Sequence, residues 1–366
     1  MARWIRWRSW WWLSGWRWRW PRRVVWIRTG RGTSPAPSSC LAAEVPAASV
    51  RPVIAVDVGG TSIKAGVLGP DGRLGPVHRT STPPAGPDGL AVVDAVEAIV
   101  RRLADELSDG SPSGVAPAGG PAGAPVAAGV VVGVVVPGIV DEAAGVAVHA
   151  ENLGWRDVPL RSLLSERLGC PVAVGHDVRA GGMAEHRLGA CRGERNAVFL
   201  PVGTGIAAAL ILDGRVFAGD GYAGELGHVD VGHDLPCACG GRGCLEAIAS
   251  ASAVTRRYAL AAGAPVAGSR EVAELVRRGD PAAVAVWDEA LDALAYGLSM
   301  LVGVVAPAVV AIGGGLGESP DLVLRPLTDR LAERLTFQRL PRVVAAELGD
   351  RAGCVGAGLL AREPMP

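Results

Sequence analysis

His228, Cys237, Cys239 and Cys244 lie within 17 residues, the three thiols in the run Cys-Ala-Cys-Gly-Gly-Arg-Gly-Cys. The glycines allow a short loop to fold around one ion, and three thiolates with one neutral imidazole make a closed tetrahedral site suited to Zn²⁺. Such a site leaves no open position for water, so the expected role is structural. His233 is an alternative fourth ligand. Two glutamates bracket the loop, Glu225 three residues before His228 and Glu246 two after Cys244. Carboxylates fixed by a rigid loop suit the vicinal hydroxyls of a sugar, each of which donates a hydrogen bond. Taken alone, they are also what two exposed acids look like.

A second group of residues suits phosphate. Asp57-Val58-Gly59-Gly60-Thr61 puts small residues where a backbone could approach an anion, with a hydroxyl donor from Thr61 and a carboxylate for Mg²⁺ from Asp57. A tight hairpin with a structural Asp has the same composition. Gly203-Thr204-Gly205 offers a second such turn. Lys64, the only lysine of the chain, follows the first turn and suits either a phosphate or a solvated strand position. Asp177 follows a short apolar run and precedes a helical one, which fits an N-cap or a general base for phosphoryl transfer. Asn152, in Glu-Asn-Leu-Gly-Trp, can donate and accept towards a sugar or turn the chain.

These residues need a scaffold, and the pattern supplies one. A strand over Val53 to Val56, the glycine turn, a second strand and the turn Pro70-Asp71-Gly72-Arg73 recur as Ala197 to Val202, Gly-Thr-Gly-Ile, Ala-Ala-Ala-Leu-Ile-Leu and Asp213-Gly214-Arg215. The repeat implies two similar lobes, each presenting a backbone loop to one ligand. Leu90, Val93, Val96, Ile99, Val100, Leu103 and Leu107 keep helical spacing. Ser108 to Gly129, rich in Gly, Pro and Ala, reads as a surface loop, and the valines of 130–136 as a strand buried on both faces. A strand over Val172 to Val174 leads through Gly175-His176-Asp177 into a helix over Val178 to Leu188. Helices fit 270–278 and 280–305, before a strand over Val309 to Ile312. Alternating strands and helices give an α/β class, in which ligands bind at strand ends.

The chain has 366 residues, with 36 basic and 36 acidic side chains, but the balance is an average of unlike parts. Residues 1–50 hold nine arginines and one acid, Glu44, and nine of the eleven tryptophans. Their net charge of +8 leaves −8 on the remainder, an acidic body that argues against a general nucleic-acid surface. No helical period runs through this leader, which reads as a disordered extension or a mis-assigned start, with an interfacial anchor as the alternative. Seven cysteines, three of them clustered, form no disulfide framework and suit a reducing cytoplasm. Leu298 to Gly317 is uncharged, but Pro307 and the glycines at 313–315 break it, so a buried helix, a turn and a buried strand are expected rather than a membrane span.

In order along the chain, Asp-Val-Gly-Gly-Thr-Ser-Ile-Lys, Val-Pro-Gly-Ile-Val-Asp, Glu-Asn-Leu-Gly-Trp, the Asp177 segment, Pro-Val-Gly-Thr-Gly-Ile, Gly-Glu-Leu-Gly-His, the cysteine run with Leu-Glu, and Ala-Ile-Gly-Gly-Gly resemble the ROK family of bacterial sugar kinases and repressors. The resemblance covers roughly residues 52–362, and the cysteine loop between its glutamates is the most specific part. It implies a two-lobed, actin-like (ribonuclease-H-like) ATPase fold with a structural zinc loop, closing on ATP and a hexose. The lobes would span 52–173, with a C-terminal helix 350–366 returning to it, and 174–349, which contains the loop 228–246.

On this resemblance Asp57 is the Mg-ATP aspartate, and Gly59, Gly60, Thr61, Gly203, Thr204 and Gly205 form the phosphate loops, with Lys64 nearby. Gly313, Gly314 and Gly315 lie beside the adenosine. Asp177 is the base, Asn152, Glu225, His228 and Glu246 contact the sugar, and His228 doubles as a metal ligand. The residue before the base, here His176, is also a sugar contact in the family pattern. The implied reaction is glucose to glucose 6-phosphate, the alternatives being kinases for N-acetylhexosamine, mannose or fructose, or a sugar-responsive repressor. Residues 1–50 lack the amphipathic helices of a DNA-reading module, so no specific nucleic-acid partner is expected. A homodimer or homotetramer in the cytoplasm is usual among such proteins. Three departures stand out: His176 and Arg179 where the family commonly has asparagines around the base, and Ala207 where a glycine is common.

Overall fold

Residues 52–84, 86–108, 126 and 129–364 are described by the computed structural model; the leader 1–50 and most of the 108–129 stretch lie outside them. The first strand, β1 (Val53–Val58), pairs antiparallel with β2 (Ser62–Leu68) across the first glycine turn, and β3 (His78–Ser81) adds to β2. Helix α1 (Leu90–Ser108) precedes β4 (Val131–Val136), which returns parallel to β1. A small antiparallel sheet of β5 (Ile139–Asp141), β6 (Val146–Ala150) and β7 (Trp155–Val158) follows. Then come α2 (Leu160–Leu168), β8 (Val172–His176) parallel to β4, and α3 (Asp177–Leu188). The main sheet has the order β3-β2-β1-β4-β8.

The plan then repeats. β9 (Ala197–Pro201), β10 (Ala209–Leu212) and β11 (Arg215–Phe217) form a second antiparallel meander. Past the cysteine loop lie α4 (Leu245–Ala249), α5 (Ala251–Ala262), α6 (Ser269–Arg277) and α7 (Pro281–Val305). β12 (Val309–Gly313), α8 (Gly314–Gly317), α9 (Pro320–Arg334), β13 (Arg342–Ala345) and α10 (Ala352–Leu360) complete the chain. The second sheet, β11-β10-β9-β12-β13, has the strand pattern of the first, so the sequence repeat corresponds to a repeat of topology. The uncharged 298–317 stretch is the end of α7, a turn and β12, as its proline and glycines imply. Among the described residues no helix is long and apolar enough to cross a membrane.

Both faces of β1 and β4 are buried, which explains their unbroken apolar runs. Ile54, Val56, Val132 and Val134 pack with Val93, Val96 and Val100 of α1; Ala55, Val131 and Val135 pack on the other face with Val355 and Ala357 of α10. Helices α3 and α10 pack closely against each other, since a Cβ on Gly356 would stand 2.1 Å from the Ala180 carbonyl oxygen. A Cβ on Gly133 would be 2.0 Å from the Ala357 oxygen, and one on Gly182 2.2 Å from the Ala209 Cβ. Glycine therefore lets α10 lie on the first sheet and α3 on the second. The expected helix 350–366 is shorter, a 3-10 turn at Gly349–Arg351 and then α10.

One boundary differs from expectation in a way that matters. β8 runs on through Gly175 to His176, so the N-cap of α3 is His176 rather than Asp177. The His176 ring accepts the Arg179 amide, as a capping side chain does, and Asp177 is the first helical residue.

Candidate active site

Parallel strands end at a common edge, and there the chain turns into glycine loops and helix starts. A cleft of about 340 Å³ lies at these ends, lined by Asp57 and Lys64 of the first hairpin, Asp177 at the start of α3, and Gly313, Gly314 and Gly315 after β12. Phe199, Asp350 and Gly353 line it as well. The Asp57 carboxyl is buried, and desolvation pushes it up to about 6, against the attraction of Lys64. Lys64 Nζ is 3.5 Å from Asp57 Oδ2 and donates to the Asp350 carbonyl at 3.0 Å. Four carboxylates, Asp57, Asp177, Glu318 and Asp350, thus share a cleft with one ammonium. That excess of hard oxygen donors is the chemistry a divalent cation with a polyphosphate would complete.

Asp177 is raised chiefly by burial, although its side chain keeps 27% of its exposure towards the cleft. Glu225 is raised by burial too, and feels His228, Arg179, Glu246 and Asp177, which gathers these five side chains in one neighbourhood. Glu225 Oε2 is 4.0 Å from His228 Nε2. Glu246 is held from behind, its Oε2 accepting the Ile206 amide at 2.8 Å. A Cβ on Gly205 would sit 2.5 Å from that oxygen, so the second glycine turn wraps the carboxylate. This fixed geometry, not the glutamate itself, removes the exposed-acid reading.

The two glycine turns are tied into the same region without lining the cleft. Gly59 donates to the Ser62 carbonyl, and its own carbonyl accepts from Thr82 Oγ1 at 2.6 Å; the Thr61 carbonyl accepts the Thr82 amide. Asn152 packs on this turn, its Cβ 3.2 Å from where a Gly60 Cβ would be. In the second turn Gly203 donates to Gly205, the Gly203 carbonyl accepts the Ala251 amide, and Ser252 donates to the Thr204 carbonyl. Gly313 accepts from the Val202 amide at 2.9 Å, so the triple glycine and the second turn are joined backbone to backbone.

His228, Cys237, Cys239 and Cys244 present one ligand atom each, all within 4.8 Å of one another. Cys239 Sγ lies 3.6 Å from Cys244 Sγ, and Cys237 Sγ 3.7 Å from His228 Nδ1. A tetrahedron with ligand bonds of about 2.3 Å has edges of about 3.8 Å, so the set fits a cation of that size and softness. His233 is not part of it. Its Nε2 contacts the Cys244 carbonyl at 3.0 Å while Nδ1 accepts from Leu235, so it braces the loop.

Two residues that shape the site had no role assigned from the sequence. Arg179, 3% exposed, donates to Glu142 Oε1 (2.9 Å) and to the carbonyls of Gly221 (3.1 Å) and Val140 (3.2 Å). Gly353 at the start of α10 abuts Asp57, where a Cβ would stand 2.6 Å from Oδ2. The only sequence signal for it was the run of glycines and alanines at 352–358.

The model of the ROK family matches residues 123–364. The chain belongs to the ROK family. It is 32% identical over 337 residues to the glucokinase of Streptomyces coelicolor, covering 86% of this chain and 98% of that protein. Among solved structures it is similar to a ROK family glucokinase from Streptomyces griseus in complex with glucose and AMPPNP (TM-score 0.71, 30% identity, 86% of this chain and all of that one). A ROK hexokinase from Thermus thermophilus is similar as well (TM-score 0.68, 34% identity, 84% and 97%).

Proposed function

We propose that this ROK protein is an ATP-dependent hexose kinase that converts glucose to glucose 6-phosphate, with Asp177 as general base. The observation that carries the reading is the single cleft shared by Asp57, Lys64, Asp177 and Gly313–Gly315, with Glu225 near enough to Asp177 and Glu246 to feel both charges. The Streptomyces griseus structure, with glucose and an ATP analogue, supports this choice of ligands. Asn152, Glu225, His228 and Glu246 orient the sugar so that its 6-hydroxyl meets Asp177. The base takes the proton as the hydroxyl attacks the γ-phosphate; its raised proton affinity suits it to that task. In the two glycine turns, Gly59 and Gly203 close the loops through their own amides, and Gly60, Thr61, Thr204 and Gly205 contribute backbone and hydroxyl donors to the phosphates, with Lys64 adding a charge. Gly313–Gly315 leave room for the adenosine.

Asp57 would hold Mg²⁺, which neutralises phosphate charge when bound. His228, Cys237, Cys239 and Cys244 would hold a structural Zn²⁺, which fixes the loop carrying Glu225 and Glu246. The two repeated sheets act as lobes of an actin-like fold, closing over the substrates and excluding water. An ATP-coupled assay over glucose, mannose, fructose and N-acetylated hexosamines tests the reading. Turnover is expected, fastest with glucose; no turnover with any sugar would leave a repressor as the better reading.

A further inference from the structure

His176 differs from the asparagine common at its position, and the structure gives the imidazole a specific set of partners. The residue is 5% exposed. Its Nδ1 accepts the Arg179 amide at 3.2 Å, so that nitrogen carries no proton and the neutral ring has its N–H at Nε2. Burial, reinforced by the Arg179 charge, depresses the imidazole to about 3, which keeps it neutral. Nε2 faces Asp177 Oδ1 at 3.4 Å. The His176 backbone N–H donates to Glu142 Oε1 at 3.3 Å, and the same oxygen accepts from Arg179 Nε. The guanidinium in turn is fixed by the carbonyls of Val140 and Gly221. An asparagine offers one carbonyl acceptor for a helix cap and one N–H₂ donor. The neutral imidazole, with acceptor Nδ1 and donor Nε2, offers the same pair on a longer frame.

We propose that His176 is a positioning residue for Asp177: its Nε2–H, aimed by the Arg179 amide and the Glu142–Arg179 pair, holds the carboxylate towards the cleft, and the ring is not a sugar contact. The role rests on Asp177 being the base of the reaction proposed above. The other charged groups near Asp177 are Asp57 and Lys64 from the first hairpin, Arg179 on its own helix and Glu225 beside the cysteine loop. None of these supplies a neutral N–H; the Val178 amide does, donating to the same Asp177 Oδ1 at 2.7 Å, so the imidazole is the second donor to that oxygen and, among the described residues, the only one from a side chain outside the helix. At 3.4 Å the contact is long for a hydrogen bond, and its tightening belongs to the substrate complex.

Three variants of the full chain separate positioning from capping and from sugar binding. His176→Phe has neither donor nor acceptor; His176→Ser can cap α3 but is too short to present the donor at the Nε2 position; His176→Asn restores both functions. With ATP and the sugar the wild type turns over fastest, kcat should fall on the order of 10- to 100-fold in the Phe and Ser variants. Sugar KM should change little, and Asn should recover most of the loss. Thermal melting is expected to show Ser and Asn more stable than Phe, so a low kcat in the Ser variant reports positioning and not unfolding. A Ser variant with wild-type kcat, or a loss confined to sugar KM, overturns the proposal while leaving the kinase reading intact. A wild type without turnover on any sugar overturns both.

Discussion

Asp177 gains its proposed role from where the strand before it stops. Because β8 continues to His176, the imidazole takes the cap and Asp177 becomes the first helical residue, lining the cleft while its Oδ1 accepts the Val178 amide at 2.7 Å. The residue type and its place between strand and helix were legible in the sequence; the shift of one residue was not, since Asp is among the strongly preferred caps and propensity therefore points to Asp177 rather than His176. Arg179 was noticed only as a departure, because an arginine with all three side-chain nitrogens engaged inside the protein leaves no pattern in one sequence. The buried imidazole has a consequence for stability. Its folded value of about 3 lies below the 6.5 of the unfolded chain, so between those pH values the folded state binds fewer protons and loses stability as pH falls. Urea unfolding at pH 7 and pH 4.5 should show a smaller acid loss for His176→Asn than for the wild type. Equal losses would contradict a desolvated ring.

Elements connect the cleft to its supports. Glu185, fully buried on α3, accepts the amides of Ala190, Glu347 and Leu348, at 2.8, 3.2 and 2.8 Å, and so fixes the loop that leads to Asp350 and Gly353. Glu185→Ala leaves three amides without that acceptor and should cost about 3 kcal/mol or more in urea unfolding, with weaker nucleotide binding. A loss under about 1 kcal/mol would mean that this loop holds itself. In the cysteine loop, metal analysis of the purified protein should find one Zn²⁺ per chain, lost or weakened in Cys239→Ser together with sugar affinity. A fully active wild type free of zinc would remove the structural role. This loop was the most legible element, since three soft thiols and an imidazole in 17 residues have few other uses. Its effect on Glu246 was not, because the Ile206 amide that holds the carboxylate lies 40 residues away.

At the scale of the molecule, one topology occurs twice, and α3 and α10 link the halves through glycines that admit backbone contact. The repeat was visible from two glycine turns and two Asp-Gly-Arg turns, whose local geometry depends on residue type. The packing of α10 against the first sheet was less visible, since the contacts join residues over 200 positions apart, such as Gly133 and Ala357. The charged leader lies outside the described residues, and every group proposed to act belongs to the acidic body. Such a body has one central task in this account, moving a phosphoryl group from ATP to a sugar by way of Asp177. Steady-state turnover of Asp177→Asn beside calorimetric binding of the sugar tests this most directly. With Asp177 as the base, kcat should fall about 10²-fold or more with sugar binding retained; near-wild-type turnover in that variant would contradict that role.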